Sequence, residues 1–569
     1  MSADDSFDRF LSSLGFGRWQ IPALLTTVLI LVAAPVHLMG SSFLSAPMPF
    51  RCFAGHEEQR NDTPTGLGET GLNTSHFDDV CLPLAFRPQE SGPGRLADAG
   101  PGLRRTGLAS CPFVRYDTAV FASTLVSDFD LICERSWLRP VYMTVYVAGE
   151  MFGSLAGGYV GDRWGRRRTV LLASTVNLLL VLVVVSAHNY PLMLCMRLLA
   201  GFSVTSMLIP IWSLFMECCS CELRDLMGML LGLPFSVGVV AFAGVAFFIR
   251  SWHCVFMAGA SPVLLIIPFA LLMDESPRWL LQKGRAEEAK AVLTKAVKLN
   301  NTKLILPLTE SIDKMIQASV SDHPAAGSTG EKPSPAGSMF RGAKKYLADP
   351  AMRRILLATA GIWFIHDTLY LGVALSAHNF SSDDPFLYVA LTGVMDAMAI
   401  LVVTPLSTRL GRKVLVWLGF AVGGSFFLVE LLIPEDLQWA RWIFIMGGFF
   451  LIAGTQQINY IYAPELFPTE TRARGFAFVQ LAGNIGTMCV PLITDVVSHY
   501  AWWASSVVFG CMGLTGSLLV FFLPETKDRP LPETLKDVNS RWTGNIRRAS
   551  RGSTNLAFVI DDFGQIKVS

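Results

Sequence analysis

Twelve apolar runs of about 20 residues each alternate with polar segments along the chain. A helix of about 20 apolar residues spans the hydrocarbon core of a bilayer, and lipid offers backbone polar groups no partner outside the helix. The pattern therefore predicts an all-α membrane protein with twelve transmembrane helices. These helices are predicted to begin near Gln20, Arg139, Thr169, Pro191, Leu226, Cys254, Ile355, Phe386, Val414, Trp442, Gly475 and Trp502.

Three polar stretches interrupt this rhythm and set the predicted organisation. The first is rich in Gly and Pro, the second contains a Ser/Gly/Pro-rich run, and the third is the tail. We therefore divide the chain into residues 1–19, a cytoplasmic N-terminus; 20–44, helix 1; 45–138, an extracellular, glycosylated and disulfide-bonded loop; 139–273, helices 2–6, which complete the N-terminal half; 274–352, a cytoplasmic loop; 353–524, helices 7–12, the C-terminal half; and 525–569, a cytoplasmic tail.

Basic residues in short loops predict the orientation. The loops after helices 2, 8 and 10 carry Arg163 and Arg166, Arg409 and Arg412, and Arg472. Twelve helices place these loops on one side, and loops rich in Lys and Arg are cytoplasmic. Both termini are then predicted to be inside the cell and the cysteine loop outside.

The long first loop has the features of an extracellular segment. Its cysteines are even in number, which predicts two disulfides in an oxidising compartment, with three possible connectivities. Glycosylation sequons begin at Asn61 and Asn73, and Pro64 weakens the first of them. The predicted disulfide cysteines are Cys52, Cys81, Cys111 and Cys133.

Composition excludes several function classes. Only 16% of the residues are charged, against roughly 25% in soluble domains, and the net charge of +1 gives no basic field for nucleic acid. No nucleotide loop, catalytic triad or metal set is evident, so we expect neither an enzyme nor a cofactor. Cys218, Cys219 and Cys221 are not expected to bind a metal, because no His or Cys pair at zinc spacing accompanies them.

Charged motifs recur six helices apart, which indicates two similar six-helix halves. Asp162-Arg-Trp-Gly-Arg-Arg follows helix 2, and Thr408-Arg-Leu-Gly-Arg-Lys follows helix 8. A Glu and an Arg seven residues apart follow helices 4 and 10, and Glu275-Ser-Pro-Arg-Trp and Pro524-Glu-Thr-Lys end helices 6 and 12. Repetition at fixed spacing makes simple topological charge a poor explanation.

We interpret these motifs as latches, that is, ion pairs that hold helix ends together in one access state and release them in the other. A tight Gly turn brings two helix ends close, and acids pair with Arg at the cytoplasmic face. The predicted latch residues are Asp162, Arg163, Arg166, Glu217, Arg224, Arg409, Glu465 and Arg472.

With these motifs the sequence resembles the major facilitator superfamily and, within it, the organic cation, anion and zwitterion transporters. Asp130-Leu-Ile-Cys closes the cysteine loop, Gly153-Ser precedes the helix 2 motif, and Glu275-Ser-Pro-Arg-Trp-Leu and Leu523-Pro-Glu-Thr-Lys are family-like. Sugar porters share several of these motifs but not the loop. The resemblance implies a plasma-membrane protein that moves small organic ions by alternating access.

Three acids lie deep in predicted helices. Glu150 and Asp396 each precede the motif of their half by twelve residues, or about 18 Å of helix, which is near the bilayer centre. Asp367, beside His366, is also deep. Such acids are costly in lipid, so they either serve the substrate or are hydrogen-bonded to neighbouring helices or protonated. We found no deep basic residue, since Arg197 lies toward the outer end of helix 4, and an acidic cavity favours a cation.

The resemblance also implies aromatic and polar cavity residues. Aromatic rings suit organic cations. Asn484 occupies a position that is Asp in cation-type relatives and Arg in anion and carnitine types. With the three acids, the candidate substrate-binding set is Glu150, Trp212, Phe235, Trp363, Asp367, Tyr370, Asp396, Gln457 and Asn484.

The predicted function is polyspecific transport of small organic ions, with cations favoured. A transporter of carnitine-like zwitterions or organic anions is the first alternative, and a transport-inactive receptor is the second. The predicted partners are the substrate and the lipid bilayer, and the oligomeric state stays open.

Overall fold

The computed structural model describes residues 3–53, 104–105, 108, 111, 113–300, 349–376, 384–434, 436–468, 472–497, 501, 503–527, 532, 538, 559–560 and 566–567. Within these residues the protein is almost entirely helical, and twelve long helical segments, called spans 1–12 below, dominate it. Ten are long and apolar enough to cross a membrane. Spans 2 and 10 are as long but carry interior polar residues, among them Glu150 and Gln457. The predicted twelve-helix all-α fold is confirmed.

The N-terminal half consists of spans 1–6. Span 1 and span 6 are each divided into shorter helices, since Pro35 and Pro262 lack the backbone N–H that an unbroken helix requires. The bounds are span 1, Ile21–Ala33 with Pro35–Leu38 and Ser41–Leu44; span 2, Leu138–Trp164; span 3, Arg166–Val185; span 4, Tyr190–Cys218; span 5, Cys221–Leu230 with Leu233–Ile249; and span 6, Trp252–Ala260 with Val263–Leu272.

The C-terminal half repeats this arrangement. Span 9 ends in a 3₁₀ turn, Glu430–Leu432, and span 11 continues into a π-helical turn, Leu492–Val497. The bounds are span 7, Pro350–Leu375; span 8, Pro385–Arg409; span 9, Arg412–Val429; span 10, Gln438–Leu466; span 11, Arg472–Pro491; and span 12, Ala504–Phe521.

Shorter elements lie outside the spans. The additional helices are Ala3–Leu14, Leu125–Phe129, the 3₁₀ turn Cys133–Arg135, Pro277–Gln282 and Ala286–Leu299. Strands β1 (Phe50–Phe53), β2 (Arg104–Arg105) and β3 (Phe113–Tyr116) form an antiparallel sheet in the order β1-β3-β2, and β4 (Val559–Ile560) pairs with β5 (Ile566–Lys567).

The first loop contains a disulfide between Cys52 and Cys111, which joins β1 to the residues preceding β3. Cys133 is disulfide-bonded as well. Cys81 and the sequon residues Asn61 and Asn73 lie outside the described residues.

The described end of this loop is fastened to the turn between spans 5 and 6. The Trp252 indole donates to Asp128 at 2.7 Å, and the Trp252 backbone N–H donates to the Ser123 carbonyl at 3.2 Å. The Ala122 N–H donates to the Arg250 carbonyl at 3.0 Å. The loop is therefore attached to the N-terminal half.

The two halves meet along spans 5 and 8 and along spans 2 and 11. On the side that carries the cysteine loop, called the loop side, the Phe386 ring of span 8 lies 5.3 Å from Phe43 and 5.3 Å from Phe121. On the same side Arg139 of span 2 pairs with Asp495 of span 11 at 2.8 Å. We call these five residues the loop-side contact. It joins the halves on the side opposite the latch motifs.

Candidate functional site

The deep part of the C-terminal half is organised by span 7. Its start is set by Asp349, whose carboxylate accepts the backbone N–H groups of Ala351 and Met352 at 3.0 and 3.1 Å, while Pro350 suits the first helical turn. From this start, Trp363 and Asp367, which are four residues apart, project from the same face of span 7.

Trp363 forms an aromatic cage with rings from spans 10 and 11. Its ring centroid lies 5.0 Å from that of Tyr460 and 5.5 Å from that of Phe476, both edge to face. Tyr460 is 44% exposed, whereas Trp363 is 3% exposed, so Tyr460 is the more accessible of these two rings. We use "aromatic cage" for Trp363, Tyr460 and Phe476.

The Asp367 carboxylate adjoins this cage. It lies against Gly483 of span 11, where a Cβ atom would come within 2.1 Å of the Asp367 Oδ2 atom and 3.5 Å of the Trp363 ring. The Asp367 side chain is 19% exposed. A glycine at position 483 thus leaves room for a carboxylate beside the rings.

Glu150 of the other half acts on the same cage electrostatically. The Tyr460 hydroxyl interacts electrostatically with both Asp367 and Glu150, and Glu150 is half-buried. Two of the predicted acids, one from each half, therefore act on one tyrosine.

Arg197 is fully buried and interacts with one of the predicted acids. Its side chain is 0% exposed, its guanidinium contacts His37 Nδ1 and the His37 carbonyl, each at 3.1 Å, and it lies over the Tyr142 and Tyr146 rings at 4.2 and 4.4 Å. Arg197 is near the loop-side end of span 4, where the sequence places it. It interacts electrostatically with Glu150 all the same, so this acid does have a basic residue to offset its charge.

Asp396 lies in the contact between the halves rather than in the cage. It is 3% exposed and accepts a hydrogen bond from Ser236 of span 5 at 2.6 Å. The Tyr370 hydroxyl interacts with the same carboxylate. Gln457 also faces span 5, since its Nε2 atom lies 2.9 Å from the point where a Cβ on Gly232 would lie.

The remaining predicted residues are spread more widely. Trp212 packs half-buried against the core of the N-terminal half, away from the aromatic cage. Phe235 is half-buried in span 5, and Asn484 is half-buried next to Gly483. Sequence analysis missed Tyr460 and Phe476. Tyr460 follows Gln457 by three residues and so shares its side of span 10, which is the one sequence signal for it.

The latch residues of the N-terminal half form one connected group. Arg166 pairs with Glu217 at 2.9 Å and with Asp162 at 3.3 Å. Glu275 accepts the backbone N–H groups of Arg166 at 2.9 Å and Arg167 at 3.2 Å, at the N-terminus of span 3. Burial raises the pKa of Glu275 above its ordinary value, although these N–H groups and Arg166 act in the opposite direction.

The C-terminal half repeats this group except at Thr408, which stands where the N-terminal half has Asp162. Arg412 pairs with Glu465 at 3.6 Å, and Glu525 accepts the backbone N–H groups of Arg412 at 3.0 Å and Lys413 at 3.2 Å. Glu275, Glu525 and Arg412 thus belong to the latches as well. The latch residues predicted from the sequence did not include them.

Other predicted latch residues have different partners. Arg224 contacts Asp8 of the N-terminal helix at 3.4 Å, not Glu217. Arg163 donates to the Tyr159 hydroxyl at 3.0 Å. The carbonyl of Arg409 accepts from Lys527 at 2.6 Å, and Arg472 begins span 11.

Two similar six-span halves with latches on one side are typical of membrane transporters. Comparison with known protein families shows to which transporter family the chain belongs. The family described as "Sugar (and other) transporter" matches residues 116–537. The chain belongs to this family. Proteins of this family and of this fold are transporters rather than enzymes.

Among full-length relatives, the chain is 29% identical over 557 residues to mouse "Solute carrier family 22 member 20", covering 94% of each chain. It is 26% identical over 533 residues to the Drosophila melanogaster "Organic cation transporter protein", covering 93% of this chain and 94% of the relative. It is 24% identical over 556 residues to the Drosophila melanogaster "Beta-alanine transporter", covering 93% and 89%. The resemblance to organic ion transporters is confirmed.

Solved structures show the same fold. The xylose transporter XylE from E. coli in its inward open conformation matches with a TM-score of 0.56 at 18% identity, covering 71% of this chain and 89% of XylE. Its partially occluded inward open conformation matches with a TM-score of 0.58 at 15% identity, covering 90% and 100%. The major facilitator fold that the resemblance implied is confirmed.

Proposed function

We propose that this protein is a polyspecific transporter of small organic cations that works by alternating access. The observation that carries the proposal is the Asp367 carboxylate beside the aromatic cage. A cation over an aromatic face gains about 0.5–2 kcal/mol, and a hydrogen bond to a charged group contributes about 1.5–3 kcal/mol. Flat ring faces accept cations of many shapes, which supports polyspecificity.

The charge balance around the cage also supports a cation. Asp367 and Glu150, one from each half, both interact electrostatically with Tyr460. Arg197 is fully buried and engaged by His37, so its guanidinium offers no surface to an anionic substrate. A ligand between the two acids would contact both halves at once, as alternating access requires.

A zwitterion is the second candidate. Asn484 is half-buried in span 11 beside Gly483, which packs against Asp367, and we take its amide as the donor to a substrate carboxylate, with Asp367 as the acid for the ammonium group. The name of one relative, "Beta-alanine transporter", fits this class. An inactive receptor is not favoured, because both latches retain their ion pairs.

We also propose that the protein resides in the plasma membrane with the loop side extracellular, Asn73 glycosylated and both termini cytoplasmic. The basic residues of the latch side and the disulfide of the loop support this orientation. If this orientation is right, glycosidase treatment of intact cells should reduce the apparent mass of the protein.

Uptake of labelled tetraethylammonium, beta-alanine and a monovalent aromatic carboxylate by cells that express the protein tests the substrate class. We expect saturable tetraethylammonium uptake that exceeds uptake of the carboxylate. Beta-alanine uptake alone would support the zwitterion candidate. Preferential uptake of the carboxylate would show that the acids have a structural role and that the proposed function is wrong.

A further inference from the structure

His366 is buried in span 7 beside the aromatic cage, and both of its ring nitrogens are engaged. It is 1% exposed. Its Nδ1 atom lies 3.0 Å from Asp367 Oδ1, and its Nε2 atom lies 3.2 Å from the Ile452 carbonyl oxygen of span 10.

These two contacts determine how many protons the pair holds. A carbonyl oxygen accepts but never donates, so Nε2 must carry a hydrogen. The Nδ1–Asp367 contact then needs one more proton, either on Nδ1 or on the carboxyl group. In both arrangements the His366–Asp367 pair has zero net charge.

Loss of that proton would change both the net charge of the pair and the contact between its two side chains. The Nδ1 lone pair would face an ionised carboxylate at 3.0 Å with no hydrogen between them, and the pair would carry a charge of minus one. An unpaired buried charge is strongly unfavourable. A cation in the aromatic cage, next to the Asp367 carboxylate, would compensate it.

We propose that the His366–Asp367 pair is a proton–cation exchange site, at which binding of an organic cation releases the shared proton. The protein would then exchange one proton for one monovalent cation, without net movement of charge. This inference rests on the proposed function, since it assumes that an organic cation binds at the cage.

The groups that face His366 from neighbouring spans are consistent with one exchangeable proton. Span 8 contributes Asp396, which interacts electrostatically with His366 and is held by Ser236. Span 10 contributes Tyr460, through which Glu150 of span 2 also acts.

Among the residues that the structure describes, the other packed spans bring no charge to this point. Span 9 presents the Phe420 ring at 6.2 Å from the His366 ring. Span 11 presents Gly483 against Asp367, with Asn484 next in the chain. Span 12 has one titratable side chain, Cys511, which is exposed.

The test uses the purified full-length protein in liposomes with a trapped pH-sensitive dye and the membrane voltage clamped by valinomycin and potassium. We expect tetraethylammonium uptake to rise several-fold when the interior is acidic, and about one proton to leave the liposome for each cation that enters. Uptake that ignores the proton gradient, or that carries one positive charge per cation, would overturn the inference.

The substitution His366→Gln tests proton exchange separately from cation binding. The glutamine amide still donates to the Ile452 carbonyl, and Asp367 remains for the cation, so uptake should persist while most of the stimulation by internal acid is lost. His188→Gln, at an exposed position, is the matched control and should behave as the wild type. Full stimulation in His366→Gln would also contradict the inference.

The two proposals fail differently. Tetraethylammonium uptake without proton exchange leaves the proposed function intact and removes only the inference. Absence of tetraethylammonium uptake by the wild-type protein overturns both. If His366→Gln does not fold, the wild-type proton count still decides the matter.

Discussion

Gly483 determines where the Asp367 carboxylate lies. Any larger residue would place a Cβ atom 2.1 Å from Asp367 Oδ2, so the carboxylate reaches the rings because one neighbouring side chain is missing. The charge and its position are therefore supplied by two residues on different spans, and each can be changed separately.

Asp367→Asn removes the charge and keeps the shape. We expect the KM for tetraethylammonium to rise about tenfold to a hundredfold, equivalent to about 1.4–2.8 kcal/mol. Gly483→Ala keeps the charge but displaces it, so a smaller, several-fold rise is expected. Concentration-dependent uptake at matched surface expression measures both.

Glu287→Gln is the control for Asp367→Asn, because Glu287 is an exposed acid of the helix Ala286–Leu299. It should leave KM unchanged. An unchanged KM in Asp367→Asn would contradict the assignment of Asp367 to the substrate.

Sequence spacing predicts which side chains occupy equivalent positions in the two halves but not which partners they have. Glu150 and Asp396 each precede the motif of their half by twelve residues, yet Glu150 interacts with Arg197 and Tyr460 whereas Asp396 is held by Ser236. Residue counts give a position along the helix axis, but the partner of a side chain depends on how neighbouring helices are rotated and packed. For the same reason the interaction of Arg197 with Glu150 could not be predicted from spacing.

At the scale of elements, the latches show what internal repetition can and cannot predict. The repeat predicted that both halves carry latches after spans 2, 4 and 6 and their counterparts. It did not predict that Arg166 would form its ion pair with Glu217 or that Arg224 would contact Asp8. The N-terminal helix that supplies Asp8 has no counterpart in the repeat, so repetition gave no information about it.

The two latches differ in strength, which gives a comparative prediction. The Arg166 side chain is 8% exposed and 2.9 Å from Glu217, whereas that of Arg412 is 23% exposed and 3.6 Å from Glu465. Buried ion pairs cost more to break than solvated ones. Arg166→Gln should therefore slow transport and lower the melting temperature more than Arg412→Gln does.

Uptake rate per surface-delivered molecule and thermal unfolding in detergent measure these effects. Arg285→Gln, which breaks an exposed pair with Glu288, serves as a control with little expected change. Equal effects of Arg166→Gln and Arg412→Gln would show that burial does not set latch strength.

At the scale of the whole molecule, the loop-side contact joins the two halves while the latches act within each half. Arg139 and Asp495 come from spans 2 and 11, which pack together across the boundary. The ion pair should therefore favour the state in which the loop side is closed, and its removal should shift the population toward a loop-side opening.

A charge swap tests this role. Arg139→Asp and Asp495→Arg each place like charges together and should increase labelling of Ser45→Cys by a membrane-impermeant maleimide, since Ser45 is buried and lines the same pocket as the pair. The double swap restores opposite charges and should return labelling toward that of Ser45→Cys alone. Labelling that is the same in all four proteins would contradict the prediction.

The attachment of the cysteine loop to the turn between spans 5 and 6 has a pharmacological consequence. An antibody whose epitope lies wholly within that loop would move together with the N-terminal half. It would leave the conformational cycle of the transporter largely intact. An antibody that binds both the loop and the turn between spans 7 and 8 would hold the halves together and block uptake without contacting the aromatic cage. The loop thus offers a handle for selective inhibitors that need not compete with substrate.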